Sequence, residues 1–150
     1  MNLYEMLHQD HEKVKSLFDQ LEAAGEDQER RREQLFSALY RELDVHSQAE
    51  EKFFYSQLKG EEETRELTLE SLDEHKLVKR LLDELESMDK GTPEWTAKCR
   101  TLRENVDQHV ETEEQELFPL AQKTLEDEEA AGIAEDIESF KEEHTELEAY

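Results

Sequence analysis

Apolar residues recur at three- and four-residue steps through most of the chain, the spacing that places side chains on one face of an α-helix. The residues between them are dominated by Glu, Leu, Lys, Gln and Arg, which favour helices. No stretch alternates apolar with polar residues as a strand would. The pattern predicts an all-α protein with helices near residues 2–24, 28–58, 63–89 and 93–124, and a short fifth helix near 128–148.

Glycine and proline residues mark where these helices are interrupted. Pro93 suits the first turn of the fourth helix, with Thr92 before it as a cap, and Pro119 predicts a kink or an early end of that helix. Four glycines fall between long charged stretches and predict the interhelix connections: Gly25, Gly60, Gly91 and Gly132.

The lengths of these elements indicate how they pack. Short connections between long helices favour antiparallel neighbours, so we expect an antiparallel up-and-down four-helix bundle over about residues 2–124. A helical tail over about 128–148 follows the bundle. The length of 150 residues fits one domain of ordinary size, so residues 1–150 are predicted to form a single domain.

The two halves of the chain repeat each other. Residues 10–22 align with residues 74–86 at an offset of 64, and seven of the thirteen positions are identical. Residues 46–55 align with residues 109–118 at an offset of 63. The second alignment superposes His46 on His109, Glu50 on Glu113 and Glu51 on Glu114. A bundle built from two such halves has approximate two-fold symmetry.

Each predicted bundle helix carries a histidine on its apolar stripe, and the second and fourth helices add a glutamate one turn later. The stripes read Leu7, His11, Val14, Phe18 and Leu21 in the first helix; Leu35, Leu39, Glu42, His46, Glu50 and Phe53 in the second; Leu72, His75, Val78, Leu82 and Leu85 in the third; and Leu102, Val106, His109, Glu113, Leu117 and Leu120 in the fourth. The polar side chains expected at the centre of the bundle are His11, His46, Glu50, His75, His109 and Glu113.

These six buried groups need compensation. An ionised carboxylate in an apolar interior costs several kcal/mol, and each imidazole brings a donor and an acceptor that need partners. Hydrogen bonds among the six groups could supply part of this compensation. We favour a bound cation, because it satisfies all six groups together. Cys99 is the single cysteine, so the ligands are nitrogen and oxygen, which suit iron, manganese, zinc or cobalt. Two carboxylates on facing helices favour a dinuclear iron site among these.

The conjunction of these positions, and not a single motif, carries the prediction. Glutamate is so abundant that the spacing His-x-x-x-Glu also occurs at His8 with Glu12 and at His144 with Glu148. Only in the second and fourth helices does this spacing fall on an apolar stripe, and there the two copies are related by the internal repeat.

The arrangement resembles the hemerythrin family, in particular its HHE cation-binding domains. The family pattern is matched by His11, by His46 with Glu50, by His75, and by His109 with Glu113. The resemblance implies an antiparallel four-helix bundle that holds two non-haem iron ions, bridged by Glu50 and Glu113 and by an oxo or hydroxo group, with an exchangeable position for a small ligand. We expect His11 and His46 to belong mainly to one iron, and His75 and His109 to the other.

Two departures from the oxygen-carrying hemerythrins bear on function. Those proteins have a second histidine one turn from the first on the third helix, where this chain has Ser71 and Lys79 on either side of His75. They also use aspartate at a five-residue spacing in place of Glu113. The resemblance therefore implies reaction with dioxygen, NO or hydrogen peroxide, in sensing, detoxification or oxygen handling. The alternatives are an iron storage or donation protein for repair of damaged iron centres and a metal-free acidic helical adaptor. Whether the protein is an enzyme stays open.

The charge of the chain restricts its partners. The formal net charge is −24 at pH 7, and a surface that negative repels nucleic acid backbones and anionic membranes. The sequence has no transmembrane run and no export signal at its N-terminus, so we expect a cytoplasmic protein with a small gaseous or peroxide ligand. Nothing in the sequence indicates a protein partner.

Five further polar residues have two interpretations each. Tyr4 is expected to pack at the end of the bundle, although it could donate a hydrogen bond to a ligand on the metal. His8 and His144 are expected to be solvated and not ligands. Cys99 is expected to be half-buried and inert, and not a redox sensor. Glu42 shares a stripe with His46, so orientation of that imidazole is its alternative role beside ordinary packing.

Overall fold

The computed structural model describes the backbone of residues 1–149 and the side chains of residues 1–144. Every regular element within this range is helical, which confirms the all-α prediction. The elements are α1 (Leu3–Ala23), α2 (Glu29–Ala49), the π-helical segment π1 (Glu50–Tyr55), α3 (Ser56–Leu58), α4 (Arg65–Glu86), α5 (Pro93–Thr112), the π-helical segment π2 (Glu113–Leu117), α6 (Phe118–Thr124) and α7 (Asp127–Ala149).

The four bundle helices are α1, the continuous run from α2 to α3, α4, and the continuous run from α5 to α6. Helices α1 and α2 pack as one pair, and α4 and α5 pack as the other, which matches the two repeats of the sequence. The apolar core is divided into two clusters at opposite ends of the bundle. Val14 and Val106 belong to one cluster, and Leu7 and Leu117 belong to the other. The inward histidines of α1 and α5 therefore lie between the two clusters.

The predicted helix ends and connections hold at most positions. The Thr92 side chain accepts a hydrogen bond from the Trp95 backbone N–H at 3.2 Å, and Pro93 occupies the first turn of α5, as predicted. Gly25, Gly60 and Gly91 lie between helices, but Gly132 lies inside α7, so its interpretation as a connection is wrong. Apolar contacts along α7 outweigh the weak helix propensity of a single glycine.

The second and fourth helices are not continuous α-helices, because each contains a π-helical segment that begins at the inward glutamate. A π turn contains one residue more than an α turn, so the inward face moves by one position along the sequence. Phe53, predicted to face inward, is half-buried, while Tyr55 is fully buried. Leu120 is likewise half-buried, and Ala121 is fully buried.

Pro119 lies immediately after π2, in the first turn of α6. A missing backbone N–H is tolerated in the first turn of an α-helix, and here the α-helical pattern resumes after the π segment. The early end predicted at Pro119 does not occur, because the helical run continues to Thr124.

Helix α7 packs outside the four-helix bundle. Its main contacts are with α1, α2 and π1, so it covers one side of the molecule only. Ile133, Ile137 and Phe140 bury the apolar face of α7 in the core cluster that contains Leu3 and Leu117. Among the described residues, no helix combines the length and apolar character needed to cross a membrane.

Candidate metal centre

The structure brings all six predicted site residues together between the two apolar clusters. They form two groups that share both glutamates, and within each group the candidate ligand atoms lie within 4.8 Å of one another. Both glutamates are 0% exposed, and the four histidines are 4–7% exposed. The first group is His11, His46, Glu50 and Glu113, and the second is Glu50, His75, His109 and Glu113.

Each glutamate reaches one imidazole of each group. Glu50 Oε1 lies 3.0 Å from His46 Nε2 and 3.3 Å from His75 Nε2. Glu113 offers Oε1 to His11 Nε2 at 3.2 Å and Oε2 to His109 Nε2 at 3.4 Å. The two carboxylates therefore stand between the histidine pairs, in the positions that bridging ligands occupy in dinuclear bundle sites.

The outer nitrogen of every site histidine faces a second carboxylate. His46 Nδ1 donates to Asp10 Oδ2 at 2.8 Å, and His109 Nδ1 donates to Glu74 Oε1 at 2.8 Å. Such partners fix the orientation of a ligand imidazole and raise its basicity. The other two pairs are His75 Nδ1 with Glu51 Oε2 at 2.9 Å and His11 Nδ1 with Glu114 Oε1 at 3.2 Å.

These four carboxylates follow the internal repeat, although the sequence pattern alone did not assign them. Asp10 and Glu74 each precede an inward histidine, while Glu51 and Glu114 each follow an inward glutamate. The signal that could have found them was their common position in both halves of the chain. In a sequence with 42 acidic residues, that signal becomes specific only once the helices are in register.

The buried atoms at the centre fit a cation. A neutral imidazole that donates from Nδ1 has only a lone pair at Nε2, and here that lone pair points at a carboxylate oxygen. His11 Nε2, His46 Nε2, Glu50 Oε2 and Glu113 Oε1 are buried without a hydrogen-bond partner. Lone pairs that face one another in a dry interior require a proton or a metal ion between them.

The electrostatics of the metal-free site favour protonated imidazoles at His46 and His109. Burial alone would lower the pKa of His109, but contacts with Glu113 and Glu74 outweigh it and raise the pKa to about 10. Burial would also lower the pKa of His46, but the carboxylates Glu50 and Asp10 outweigh burial and raise this pKa well above its usual value. The carboxylates therefore attract positive charge to the imidazoles, and a metal ion must displace protons to enter.

Tyr55 is a site residue that the helical pattern of the sequence did not reveal. Its hydroxyl donates to Glu113 and lies 3.2 Å from Glu50 Oε1, 3.4 Å from His75 Nε2 and 3.5 Å from His109 Nε2. The hydroxyl oxygen is therefore close to all four residues of the second group. Burial, followed by the charges of Glu113 and Glu50, raises the pKa of Tyr55 well above its usual value. A constant helical period assigns Phe53 to the inward face, and only the π turn brings Tyr55 there.

The alternative role considered for Glu42 is wrong. Its carboxylate pairs with Lys13 Nζ at 3.1 Å, while Asp10 occupies the outer nitrogen of His46. A helix partner one turn away shares a face with His46, but Asp10 on α1 lies directly opposite the imidazole edge.

The remaining polar residues are placed outside the two groups. Tyr4 packs edge-on against Phe118, with ring centroids 5.3 Å apart, and burial together with Asp127 raises the pKa of Tyr4 to about 12. His8 is an exposed residue that contacts Glu114. His144 is half-buried and its Nδ1 donates to the Phe140 carbonyl at 2.8 Å. Cys99 is buried, and this burial raises the pKa of its thiol to about 11.

Comparison with known proteins agrees with this architecture. The family model of the hemerythrin HHE cation-binding domain matches residues 2–121. The chain therefore belongs to the hemerythrin HHE cation-binding domain family, and its two His/Glu groups are the candidate metal sites expected of a metal-binding member. A crystal structure of an HHE domain-containing protein from Mycobacterium kansasii has the same fold, with a TM-score of 0.83 and 24% identity over 95% of this chain and 86% of that one.

Two curated relatives match most of the chain. A DNA nickase from Nostoc sp. is 31% identical over 144 residues, which are 94% of this chain and 39% of that protein. An uncharacterised hemerythrin-like protein from Schizosaccharomyces pombe is 28% identical over 137 residues, which are 90% of this chain and 66% of that protein. The chain thus spans less than two thirds of the length of these relatives.

Proposed function

We propose that the protein is a non-haem di-iron protein that binds or reacts with a small oxidant such as dioxygen, NO or hydrogen peroxide, in the cytoplasmic location that the sequence predicts. The observation that carries this proposal is the pair of buried His/Glu groups, in which two imidazole nitrogens and two carboxylate oxygens are buried without a hydrogen-bond partner. Iron ions at these positions would satisfy the imidazole and carboxylate lone pairs together, in place of the protons that the metal-free site holds between them.

The proposed ligand assignment follows the two groups. His11 and His46 would hold one iron and His75 and His109 the other, with Glu50 and Glu113 available to both. Each group offers four protein residues, two of which are shared, so an iron held there would keep room for an exchangeable small molecule. When bound, the two irons supply redox capacity and a position for that molecule. Tyr55 holds a proton at its hydroxyl oxygen beside Glu113 and both imidazoles of the second group.

Iron storage or donation is a second candidate. It is favoured by carboxylates that lie between the site histidines and the protein surface. Glu51 is bonded to His75, and its side chain is 44% exposed, while Glu74 at His109 is 25% exposed. Partly hydrated carboxylates beside ligand imidazoles offer an incoming or departing ion intermediate oxygen ligands.

DNA cleavage is not part of the proposal. The name DNA nickase belongs to a relative of which the matched segment is 39%. A formal charge of −24 opposes approach to a phosphate backbone, because affinity for nucleic acid rests largely on cationic contacts.

The test is metal analysis of purified protein with visible spectra before and after addition of dioxygen, hydrogen peroxide or NO. We expect about two irons per chain and spectral changes with at least one oxidant. His75→Ala should lower the iron content, whereas His144→Ala, which removes a histidine with the same His-x-x-x-Glu spacing outside the site, should not.

The outcomes separate the candidates. Iron well under one per chain, or equal iron loss in both variants, would overturn the metal-site proposal. Full iron loading with transfer to an apo acceptor and no response to any of the three oxidants would favour storage or donation.

A further inference from the structure

We propose that Lys141 of α7 is a positioning residue for the metal centre, acting through Asp10 on the His11 and His46 side alone. The proposal rests on the di-iron function proposed above and adds to it a contribution from a helix outside the four-helix bundle. Residues 2–121 match the family model, whereas α7 begins at Asp127, so Lys141 lies beyond the matched segment.

Lys141, Asp10 and His46 form a continuous hydrogen-bonded chain. The Lys141 ammonium contacts both carboxylate oxygens of Asp10. Asp10 Oδ2 in turn accepts the hydrogen bond from His46 Nδ1 at 2.8 Å. Asp10 is only 8% exposed, and its carboxylate is held by protein groups on both sides. The orientation of the His46 ring is thereby fixed from the surface inward.

The other half of the molecule lacks this link. Glu74 occupies the corresponding position in the internal repeat and accepts from His109 Nδ1 at 2.8 Å. Its side chain is 25% exposed, and among the side chains of residues 1–144 no lysine or arginine forms an ion pair with it. The reason is the placement of α7, whose main contacts are with α1, α2 and π1. The single added helix therefore makes the two histidine pairs inequivalent.

Loss of the Lys141 ammonium would release Asp10 into the adjacent groove. Asp10, His46 and Lys141 line a surface groove of about 450 Å³ between α1, α2 and α7. A carboxylate that loses its bond to lysine can rotate toward this groove, and the His46 ring then loses its fixed orientation. Loss of such a partner typically weakens metal binding about 10–100-fold.

The experiment measures Co²⁺ affinity by absorption titration in two single-site backgrounds. His109→Ala disables the second group and leaves the first, and His11→Ala disables the first group without removing the contact of Asp10 with His46. Added to His109→Ala, Lys141→Met should weaken Co²⁺ binding about tenfold or more. Added to His11→Ala, it should leave the affinity unchanged within error. Lys141→Arg should restore most of the loss in the first background.

Lys13→Met is the matched control. Lys13 lines the same groove and carries the same charge, but it pairs with Glu42, which does not contact a site histidine. It should leave Co²⁺ affinity unchanged in both backgrounds. Equal weakening by Lys13→Met and Lys141→Met would indicate a general charge effect and overturn the proposal, as would equal effects of Lys141→Met in both backgrounds.

A second readout needs no metal. In nitrogen-15 NMR spectra of the metal-free protein, the His46 Nδ1 proton should exchange faster with water in Lys141→Met than in the parent, while the His109 Nδ1 proton should not. Lys141→Gln, which keeps a polar side chain, serves if the methionine variant does not fold. Unchanged exchange at His46 overturns the proposal, whereas a parent chain that binds no Co²⁺ or iron overturns the proposed function and this inference with it.

Discussion

Glu113 shows how the charge of each site residue depends on its neighbours. Burial alone would raise the pKa of this carboxyl, but contacts with Glu50, His109 and His11 lower it well below its usual value. The contact between Glu113 and His109, together with that of Glu74, outweighs burial and raises the pKa of His109 to about 10. At neutral pH the metal-free pocket therefore combines carboxylates with protonated imidazoles, and its stability depends on the ions that compensate them.

Removal of the Tyr55 hydroxyl should destabilise the metal-free protein. Its donation to the buried Glu113 carboxylate is a hydrogen bond to a charged group, so Tyr55→Phe should lower the free energy of unfolding by about 1.5–3 kcal/mol. Urea denaturation of the metal-free chain measures this. Tyr40→Phe is the control, because Tyr40 also donates to a carboxylate, that of Asp83 at 2.6 Å, but near the surface. Equal losses in the two variants would contradict a special role for the Tyr55 contact.

The stability of the metal-free protein should fall as the pH rises above neutrality. The pKa of His109 rises from its ordinary value of 6.5 to about 10 in the folded chain, so its contribution is complete below pH 6.5 and is lost as the pH approaches 10. The melting temperature should therefore decrease across this range, and His109→Gln should reduce the decrease. Because metal binding displaces these protons, metal affinity should increase over the same range. A metal-free melting temperature that rises toward pH 10 would contradict this interpretation.

At the level of single elements, the sequence predicts which residues of a regular α-helix face inward. It does not predict where an α-helix changes into a π-helix. The stripes place His46 and Glu50 inward correctly, because both precede or begin π1. Tyr55 was missed because it lies at the end of π1, and Ala121 was missed because it follows π2. The carboxylate partner of His46 was missed for another reason: Asp10 is on a different helix, and only tertiary packing brings it to the imidazole edge.

The N-terminal cap of α5 should contribute measurably to stability. The Thr92 hydroxyl accepts from the Trp95 N–H at 3.2 Å, so Thr92→Ala should lower the free energy of unfolding by about 1 kcal/mol. Thr101→Ala, at an exposed position within α5, should leave it unchanged or raise it slightly, because alanine has the higher helix propensity. Chemical denaturation of both variants checks this. A loss in Thr101→Ala as large as that in Thr92→Ala would assign the effect to helix composition and not to the cap.

At the scale of the whole molecule, the internal repeat accounts for most of what could be predicted. It places four helices and six inward polar groups in two related halves, and the structure has both. Helix α7 has no counterpart in the repeat. The side of the bundle against which α7 packs, and the pairing of Lys141 with Asp10, therefore follow from packing and not from a pattern in the chain.

The net charge should make folding sensitive to salt. With a formal charge of −24, the compact state is opposed by self-repulsion, which added salt screens. An increase from about 20 to about 200 mM sodium chloride should raise the melting temperature of the metal-free protein. A melting temperature that is constant or falls with salt would show that the local ion pairs outweigh the overall repulsion.

Glu50 and Glu113, the two carboxylates shared by both groups, stand where an α-helix widens into a π turn. A widened turn and a normal turn differ by one residue in hydrogen-bond register, so a small change of register can move the carboxylate while the helical segments on either side stay in place. The Glu50 and Glu113 carboxylates could therefore shift slightly in position without movement of the rest of the pocket. We therefore expect it to accept divalent ions of different radius with little change in the rest of the bundle.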